Sequence, residues 1–489
     1  MKRRLLSISL VLALCLTCVP SALAVGDVRF SGGTGTVDAP YLIRKAEDLF
    51  ALAEAVNSGT SYQGQYFRLT NDIDLETDAD NPWIPIGNSV TTLGRQFLGS
   101  FDGGGNTVSG LYVYVTKTRL YNGLFGVVGF SNRTTTAEVK NLQVEGEVYA
   151  TMAEPYSLYV GGITGFVGQG ATITDCSFQG TVETTATDQA ITSYTGGIAG
   201  YNYYGTISKC TVNYSTIIGT NENASSQSLV GGIAADNIEG TIEECKVTGG
   251  SVSTSGSMEV SSVGGIAGCS DGTLKGCSNS ASVTGNNAFD LETKEEVALG
   301  SGGVVGCNYN LVESCSNTGS VTGNGLFTGG VVGYNTTNGT LNGTISASYN
   351  TGPVKGEQYV GGVVGNNHTV VKDCYNTGEV TSTGDYAGGV VGRNTSFYEN
   401  YSLLPNPPPN VERKGEISTS YNTGAVSGGS YVGGVAGYNC VTIAQCSNTG
   451  SVTGSGNYTG GVVGCNAYYI DDRYGLAGVV KEYPGEIQN

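Results

Sequence analysis

The residues best able to do chemistry recur at long intervals instead of clustering. Seven cysteines share one phase of the chain: Cys176, Cys210, Cys245, Cys277, Cys315, Cys374 and Cys446. Their spacing is that of a repeat, not CxxC, which argues against a zinc site. Cys269, Cys307 and Cys465 occupy a second phase. There is a single histidine, His368, in the turn "NNHT". HExxH is therefore impossible, and any Ser-His-Asp or Cys-His site would need this one residue. The favoured reading is a solvated turn histidine, whose replacement is expected to change nothing.

Carboxylates offer the serious enzymatic alternative, because β-solenoids that cleave polysaccharides use Asp/Glu clusters on neighbouring turns. Two places before each ladder cysteine stand Thr174, Ser208, Glu243, Lys275, Glu313, Lys372 and Ala444. One place before stand Asp175, Lys209, Glu244, Gly276, Ser314, Asp373 and Gln445. The signs mix and no dense cluster emerges. In "NDIDLETDADN", Asp72, Asp74, Glu76, Asp78 and Asp80 alternate. On an extended strand they would share a face that could hold Ca²⁺, but the glycine and final Glu of an EF-hand loop are missing. A solvated acidic edge is the favoured reading. Tyr159, Tyr194, Phe327, Tyr359, Tyr386, Tyr431 and Tyr458 share a phase. They read as a sugar-binding stripe or as buried stacking; the second is favoured, since they share parity with an inward position unless the Gly-Gly pair bends the strand.

These residues are placed by a repeat. A Gly-Gly pair recurs from Gly161 at intervals of 35, 35, 33, 38, 27, 32, 27, 45 and 27, so 27 is the basic unit and longer intervals carry insertions. A divergent earlier copy is "YNGLFGVVG" at 121–129. Within 359–385 three β-prone runs, YVGGVV, TVVKDCY and EVTS, are separated by Asn-Asn, Asn-Thr-Gly and Thr-Gly-Asp. Each is too short for a helix and lacks a 3.6-residue period. Such a unit fits one coil of a parallel β-helix, each strand pairing with its copy about 4.8 Å away. Ile or Val stands two places after the first Gly in all ten copies, Ile163 through Val462, which marks an inward position. Asn279, Asn317, Asn350, Asn376, Asn422 and Asn448 form an expected amide ladder, and Ser348 and Ser420 stand in for the ladder cysteine. Stacked thiols on adjacent coils lie within disulfide range, but parallel Cβ vectors strain the dihedral. Buried free thiols are therefore favoured over disulfides.

The unit "YVGGVVGYN…I…C.NTG.V.G" resembles the GLUG-motif repeats of bacterial secreted and cell-surface proteins, repeats also found ahead of IgA1-specific metallopeptidase domains. The lead-in "GTGTVDAPYLIRKAEDLFALAEAVNSG", "YFRLTNDIDL", "WIPIGN" and "FDGGGNTVSGL" follows the order usual in such proteins. The resemblance implies a right-handed parallel β-helix of the pectin-lyase-like kind. It does not carry the metallopeptidase activity with it, because the HExxH motif is absent.

The first 24 residues read as a secretory signal peptide: Lys2, Arg3 and Arg4, an apolar run from Leu5, and Ala22-Leu23-Ala24 at the cleavage site. Its removal takes the formal charge from −18 to −21, which disfavours nucleic acid as a partner. No later stretch is long and apolar enough to span a bilayer. The expected organisation is a signal peptide at 1–24, an N-terminal cap with a short helix at 25–65, and the β-helix at 66–467. Insertions fall near 286–299 and 397–415, and an end segment covers 468–489. Between Ile43 and Asn57, Ala46, Leu49, Leu52, Ala53 and Val56 fall on one helical face, and Gly59 stops the helix. In the second insertion Phe397, Tyr398, Tyr401, Leu403 and Leu404 stand beside Pro405, Pro407, Pro408 and Pro409, a stiff projection that could bind a partner. The expected fold class is all-β, a solenoid of roughly a dozen coils. The expected role is a secreted or surface-displayed non-catalytic adhesion module, with surface glycans or proteins as partners. A carbohydrate-active enzyme and a structural spacer are the alternatives. No catalytic, cofactor-binding or metal-ligating residue is assigned.

Overall fold

A computed structural model describes residues 30–467 and 486–488, apart from 93, 117–119, 133, 135, 153–155, 188–190, 224–225, 257–259, 287–299 and 400–410. The signal peptide, most of the end segment and the greater part of both insertions lie outside the described residues.

The repeat folds as a parallel β-helix of four walls. The chain runs through them in a fixed order, and every rung pairs in parallel with the same segment of the next coil. Sheet 1 holds 14 strands, from Tyr41–Ile43 to Glu486–Gln488. Sheet 2 begins with Ile73–Asp74 and ends with Val452–Gly454. Sheets 3 and 4 hold 11 strands each, from Tyr121–Asn122 to Thr459–Gly460 and from Phe125–Val128 to Val463–Asn466.

The coil at 359–385 explains the sequence pattern. Its three expected runs become five strands: Val360–Gly361, Val364–Asn367, Val370–Lys372, Tyr375–Asn376 and Val380–Ser382. YVGGVV breaks at the Gly-Gly pair. A Cβ on Gly361 would lie 1.9 Å from the Val364 carbonyl oxygen, and one on Gly362 would lie 2.4 Å from the Asn376 amide carbon. Only glycine permits that corner, which is a matter of close approach. TVVKDCY breaks at Asp373, whose φ of 55° is left-handed. The same position is left-handed in coil after coil: Asp175, Lys209, Glu244, Gly276, Ser314 and Gln445. The mixed residues preceding each ladder cysteine are therefore the apex of one conserved bend.

Inside, the expected ladders are present. Ile173, Ile207, Ile242, Leu274, Val312, Ile345, Val371, Ile417 and Ile443 stack in register and are buried. The strict Ile/Val position is buried from Ile163 to Val435, and only Val462, on the last rung, is exposed. Asn279, Asn317, Asn350, Asn376 and Asn422 each pass an amide proton to the side-chain oxygen of the next rung at 2.8 Å, and Asn448 accepts the last of these bonds. A second ladder, which the sequence reading passed over, joins Asn308, Asn335, Asn367, Asn394, Asn439 and Asn466, also at 2.8 Å. Its signal was present: an Asn six places after the first Gly in eight of the ten pairs, with Val167 and Ser270 in the other two.

The N-terminal end follows its pattern with one difference. The helix spans Ala46–Asn57, buries Leu49, Leu52, Ala53 and Val56, and joins the core, with Gly59 at φ 115° behind it. The alternating Phe67, Leu69, Ile73 and Leu75 read as one half-buried strand; all four are buried, but they do not lie in one strand. The chain turns a corner between Tyr66–Leu69 and Ile73–Asp74, passing from sheet 1 to sheet 2. The longest insertion leaves the stack as an antiparallel pair, Ser396–Glu399 with Val411–Lys414, while Val371 and Ile417 pair across it.

The amide ladders make a direct prediction. Asn350 donates to Asn376 and to the Gly352 carbonyl and accepts from Asn317. Asn350→Leu leaves buried partners unsatisfied and should cost about 1–3 kcal/mol per orphaned group. The same change at Asn448, near the exposed end, should cost less. Urea denaturation of both variants reads the difference.

Candidate functional site

The ladder thiols form a structural row. Cys176, Cys210, Cys245, Cys277, Cys315 and Cys374 are buried, and all described cysteines are free. Each Sγ points back to a backbone carbonyl two residues earlier, as Cys210 does to Ser208 at 3.3 Å and Cys374 to Lys372 at 3.1 Å. Ser348 and Ser420 make the same contact, at 2.9 and 2.8 Å. Burial pushes the Cys374 thiol up to about 12, so it stays protonated and inert. Cys446 departs from the expected row: on the last rung it is only half-buried.

The aromatic phase lies on the outer wall, not the inside. The Gly-Gly corner resets parity, so Val160 points in beside an outward Tyr159, and Ile163 points in again. Tyr121, Tyr159 and Tyr194 stack, as do Tyr359, Tyr386, Tyr431 and Tyr458. Ring faces are taken up by neighbouring rings; Tyr159, Tyr194, Tyr359, Tyr386 and Tyr431 are half-buried and Tyr458 is exposed. Across the corner the outward row of sheet 4 runs parallel: Phe166, Tyr201, Asp236, Cys269, Cys307, Tyr334, Asn366, Arg393, Tyr438 and Cys465. The two rows meet edge to face, as Tyr194 meets Tyr201 at 5.1 Å. They line two aromatic stretches along the axis, separated by Leu229, Ser262 and Gly300 on sheet 3 and by Asp236, Cys269 and Cys307 on sheet 4.

Two polar groups near these rows differ from what the sequence suggests: Asp236 carries no signal in it, and His368 reads there as a solvated turn residue. Asp236 is 6% exposed, and its Oδ1 has no hydrogen-bond partner. Burial, with Asp271 as a nearby like charge, pushes its carboxyl up to about 8. No letter pattern marks it, because the burial comes from the rungs on either side. His368 is not a solvated turn residue. It is 2% exposed, packs edge-on against Tyr334, and places Nδ1 3.2 Å from that hydroxyl and 3.4 Å from Thr336 Oγ1. Its replacement therefore disturbs a packed cluster.

The carboxylates singled out in the sequence do not converge. Thr174, Ser208, Glu243, Lys275, Glu313, Lys372 and Ala444 belong to one register row on the outside of sheet 1, where Lys275 pairs with Glu313 at 3.0 Å. Asp72, Asp74, Glu76, Asp78 and Asp80 are exposed, as a solvated edge, but only Ile73–Asp74 is strand. Asp72, Asp74 and Asp78 accept backbone N–H groups. A shallow surface depression between Arg68, Asp102, Asn141 and Asp175 contains two acids. Asp102 is already engaged there by Arg68 at 2.6 Å and by Asn141 at 3.0 Å. Among the described residues no helix is long and apolar enough to cross a membrane.

Three segments, 156–183, 191–224 and 356–381, match the GLUG motif. The chain is 33% identical over 139 residues to "Putative Gly-rich membrane protein" of Evansella cellulosilytica, a match covering 28% of this chain and 14% of the relative. It is 30% identical over 120 residues to halomucin of Haloquadratum walsbyi, covering 23% of this chain and 1% of the relative. The chain thus spans a small part of both. Among solved structures it is similar to a "putative immunoglobulin A1 protease" from Bacteroides ovatus. The TM-score is 0.41 at 20% identity, over 59% of this chain and 78% of that one.

Two predictions test this geometry. In native protein Cys465 and Cys446 should alkylate, whereas Cys210, Cys245 and Cys315 should react only after denaturation. Mass mapping after timed labelling checks this; rapid native labelling of the buried rows would contradict it. For Asp236, the folded carboxyl titrates at about 8 against an ordinary 3.8. Below about pH 4 both states hold the proton; from there to about pH 8 only the folded state does, so stability falls as pH rises. Asp236→Asn should melt with the wild type at pH 4 and above it at pH 8, by on the order of a few kcal/mol.

Proposed function

We propose, from a chain that carries GLUG-motif repeats stacked as a parallel β-helix, that it is a secreted or surface-displayed interaction module, non-catalytic, with a surface glycan or protein as its partner. The observation that carries this reading is the outer aromatic strip of Tyr359, Tyr386, Tyr431 and Tyr458. Stacking fixes the tyrosine side chains before any partner arrives, so binding has little side-chain entropy left to lose. It also sets the rings in a row at the rung spacing, which suits a long partner lying along the axis. Because the ring faces are occupied, recognition through this strip is by hydroxyls and ring edges. The flat stacking of a sugar on a tyrosine face is left to the terminal Tyr458, which is 56% exposed.

Three further features support the reading. The start of the sequence has the form of an export signal. One relative is described as a membrane protein. Among the acids singled out in the sequence, Glu313 pairs with Lys275, and Asp72, Asp74 and Asp78 are bound to backbone amides. The alternative of a carbohydrate-active enzyme would need two acids facing one another across a bound sugar.

The full chain should retain at least one class of ligand on an array of surface glycans and extracellular-matrix proteins, while releasing no reducing sugar from the same glycans. Tyr386→Phe with Tyr431→Phe should lower that retention by roughly tenfold, the loss of one or two hydrogen bonds, with the melting temperature nearly unchanged. Release of reducing ends would replace the module by an enzyme.

A further inference from the structure

The outer tyrosines stand in a geometry with a chemical consequence separate from binding. Tyr359, Tyr386, Tyr431 and Tyr458 stack with ring centroids 4.7, 4.6 and 4.9 Å apart. A second row, Tyr349, Tyr375 and Tyr421, lies on the neighbouring wall with spacings of 4.8 and 5.1 Å and interplanar angles of 3° and 5°. Its members pair in strand register, so the two Cα atoms of each contact sit on adjacent rungs. Both rows reach solvent: Tyr421 is 42% exposed and Tyr458 56%. Left-handed backbone holds the first row, with φ between 50° and 65° at all four tyrosines. A bulky residue rarely adopts that conformation.

We propose that these rows are sites of oxidative tyrosine cross-linking, which would tie neighbouring coils together by carbon–carbon bonds. The co-reactant is hydrogen peroxide with a haem peroxidase. Two phenols each give up the hydroxyl hydrogen as a proton and an electron, leaving two tyrosyl radicals. The radicals couple through ring carbons ortho to the oxygens, and the hydrogen on each of those carbons then moves to the oxygen and restores the phenol. The protein loses two hydrogens per bond, and one peroxide accepts the two protons and two electrons to become two waters. Stacking supplies the proximity. Each ring already faces its partner at van der Waals distance, so coupling is a first-order event that needs no encounter between molecules. The described cysteines are all free, so such bonds would be the covalent ties between the described rungs.

The pairs most open to test join two tryptic peptides. Residues 373–393 contain Tyr375 and Tyr386, and residues 415–473 contain Tyr421 and Tyr431. The full chain is treated with peroxidase and small additions of hydrogen peroxide, and dityrosine fluorescence and peptide masses are read. The expected product is 373–393 joined to 415–473, two hydrogens lighter per bond, with a yield per molecule unchanged on tenfold dilution. Tyr421→Phe and Tyr431→Phe should each remove one of the two bonds, and the double variant should remove the joined peptide. Tyr214 and Tyr156 stand in neither row and are 79% and 58% exposed, and they serve as the internal control. The proposal is overturned by absence of dityrosine, or by coupling that falls with dilution and maps to those two residues. It is equally overturned if the joined peptide survives in the double variant.

Discussion

The structure depends on one constraint: every side chain must be compatible with a copy of itself about 4.8 Å away along the axis. Apolar groups meet this without difficulty, which gives the Ile/Val row of sheet 1. Charged groups meet it badly, since like charges in register repel. The outer row of sheet 1 therefore alternates, with Lys275 between Glu243 and Glu313. Asparagine meets it best among polar residues, because one amide carries both donor and acceptor. The two Asn ladders place ten such amides in the interior, bonded rung to rung, and end at the half-buried Asn448 and the exposed Asn466. They satisfy polar groups that would otherwise be stranded, and a shift of register would break every bond in the row at once.

A ladder is only as stable as its ends. At the N-terminal end the helix Ala46–Asn57 and an aromatic cluster close the stack. Phe30, Tyr41, Tyr62 and Phe67 meet ring to ring, and Trp83, fully buried, donates to the Leu124 carbonyl at 3.0 Å. The other end is less covered among the described residues. Val462 is exposed and the space beside Gly461 is open, where every earlier Gly-Gly pair meets the next coil. Unpaired strand edges are where solenoids and sheets associate.

Much of this was legible in the sequence because the repeat makes each residue its own control. The period, the parallel β-helix, the inward Ile/Val and Cys phases and one Asn ladder follow from residues that recur at fixed offsets. What escaped has physical causes. The left-handed bend before each ladder cysteine is occupied by Asp, Lys, Glu, Ser or Gln, and no residue type announces it; only Gly276 hints at the conformation. Without that bend TVVKDCY reads as one strand, and without the Gly-Gly corner the tyrosines read as inward. His368 and Asp236 look like solvated letters in a polar stretch. Their burial comes from Tyr334 in one case and from the Tyr194 and Tyr201 rungs in the other, on coils roughly 30 residues away in sequence.

The central claim is that each coil is the template and partner of the next, so rungs are interchangeable. Excision of one whole unit, 359–385, tests it most directly. The cut joins Gln358 to Tyr386, which holds the same phase as Tyr359, and sets Asn350 beneath Asn422. The account predicts a cooperatively unfolding protein with unchanged β-type circular dichroism, and an axis shorter by about 5 Å in small-angle scattering. Excision of 359–371 alone, about half a coil, should abolish folding. If the whole-coil deletion proves as disruptive as the half-coil deletion, the strands are not partners by register, and the account is wrong.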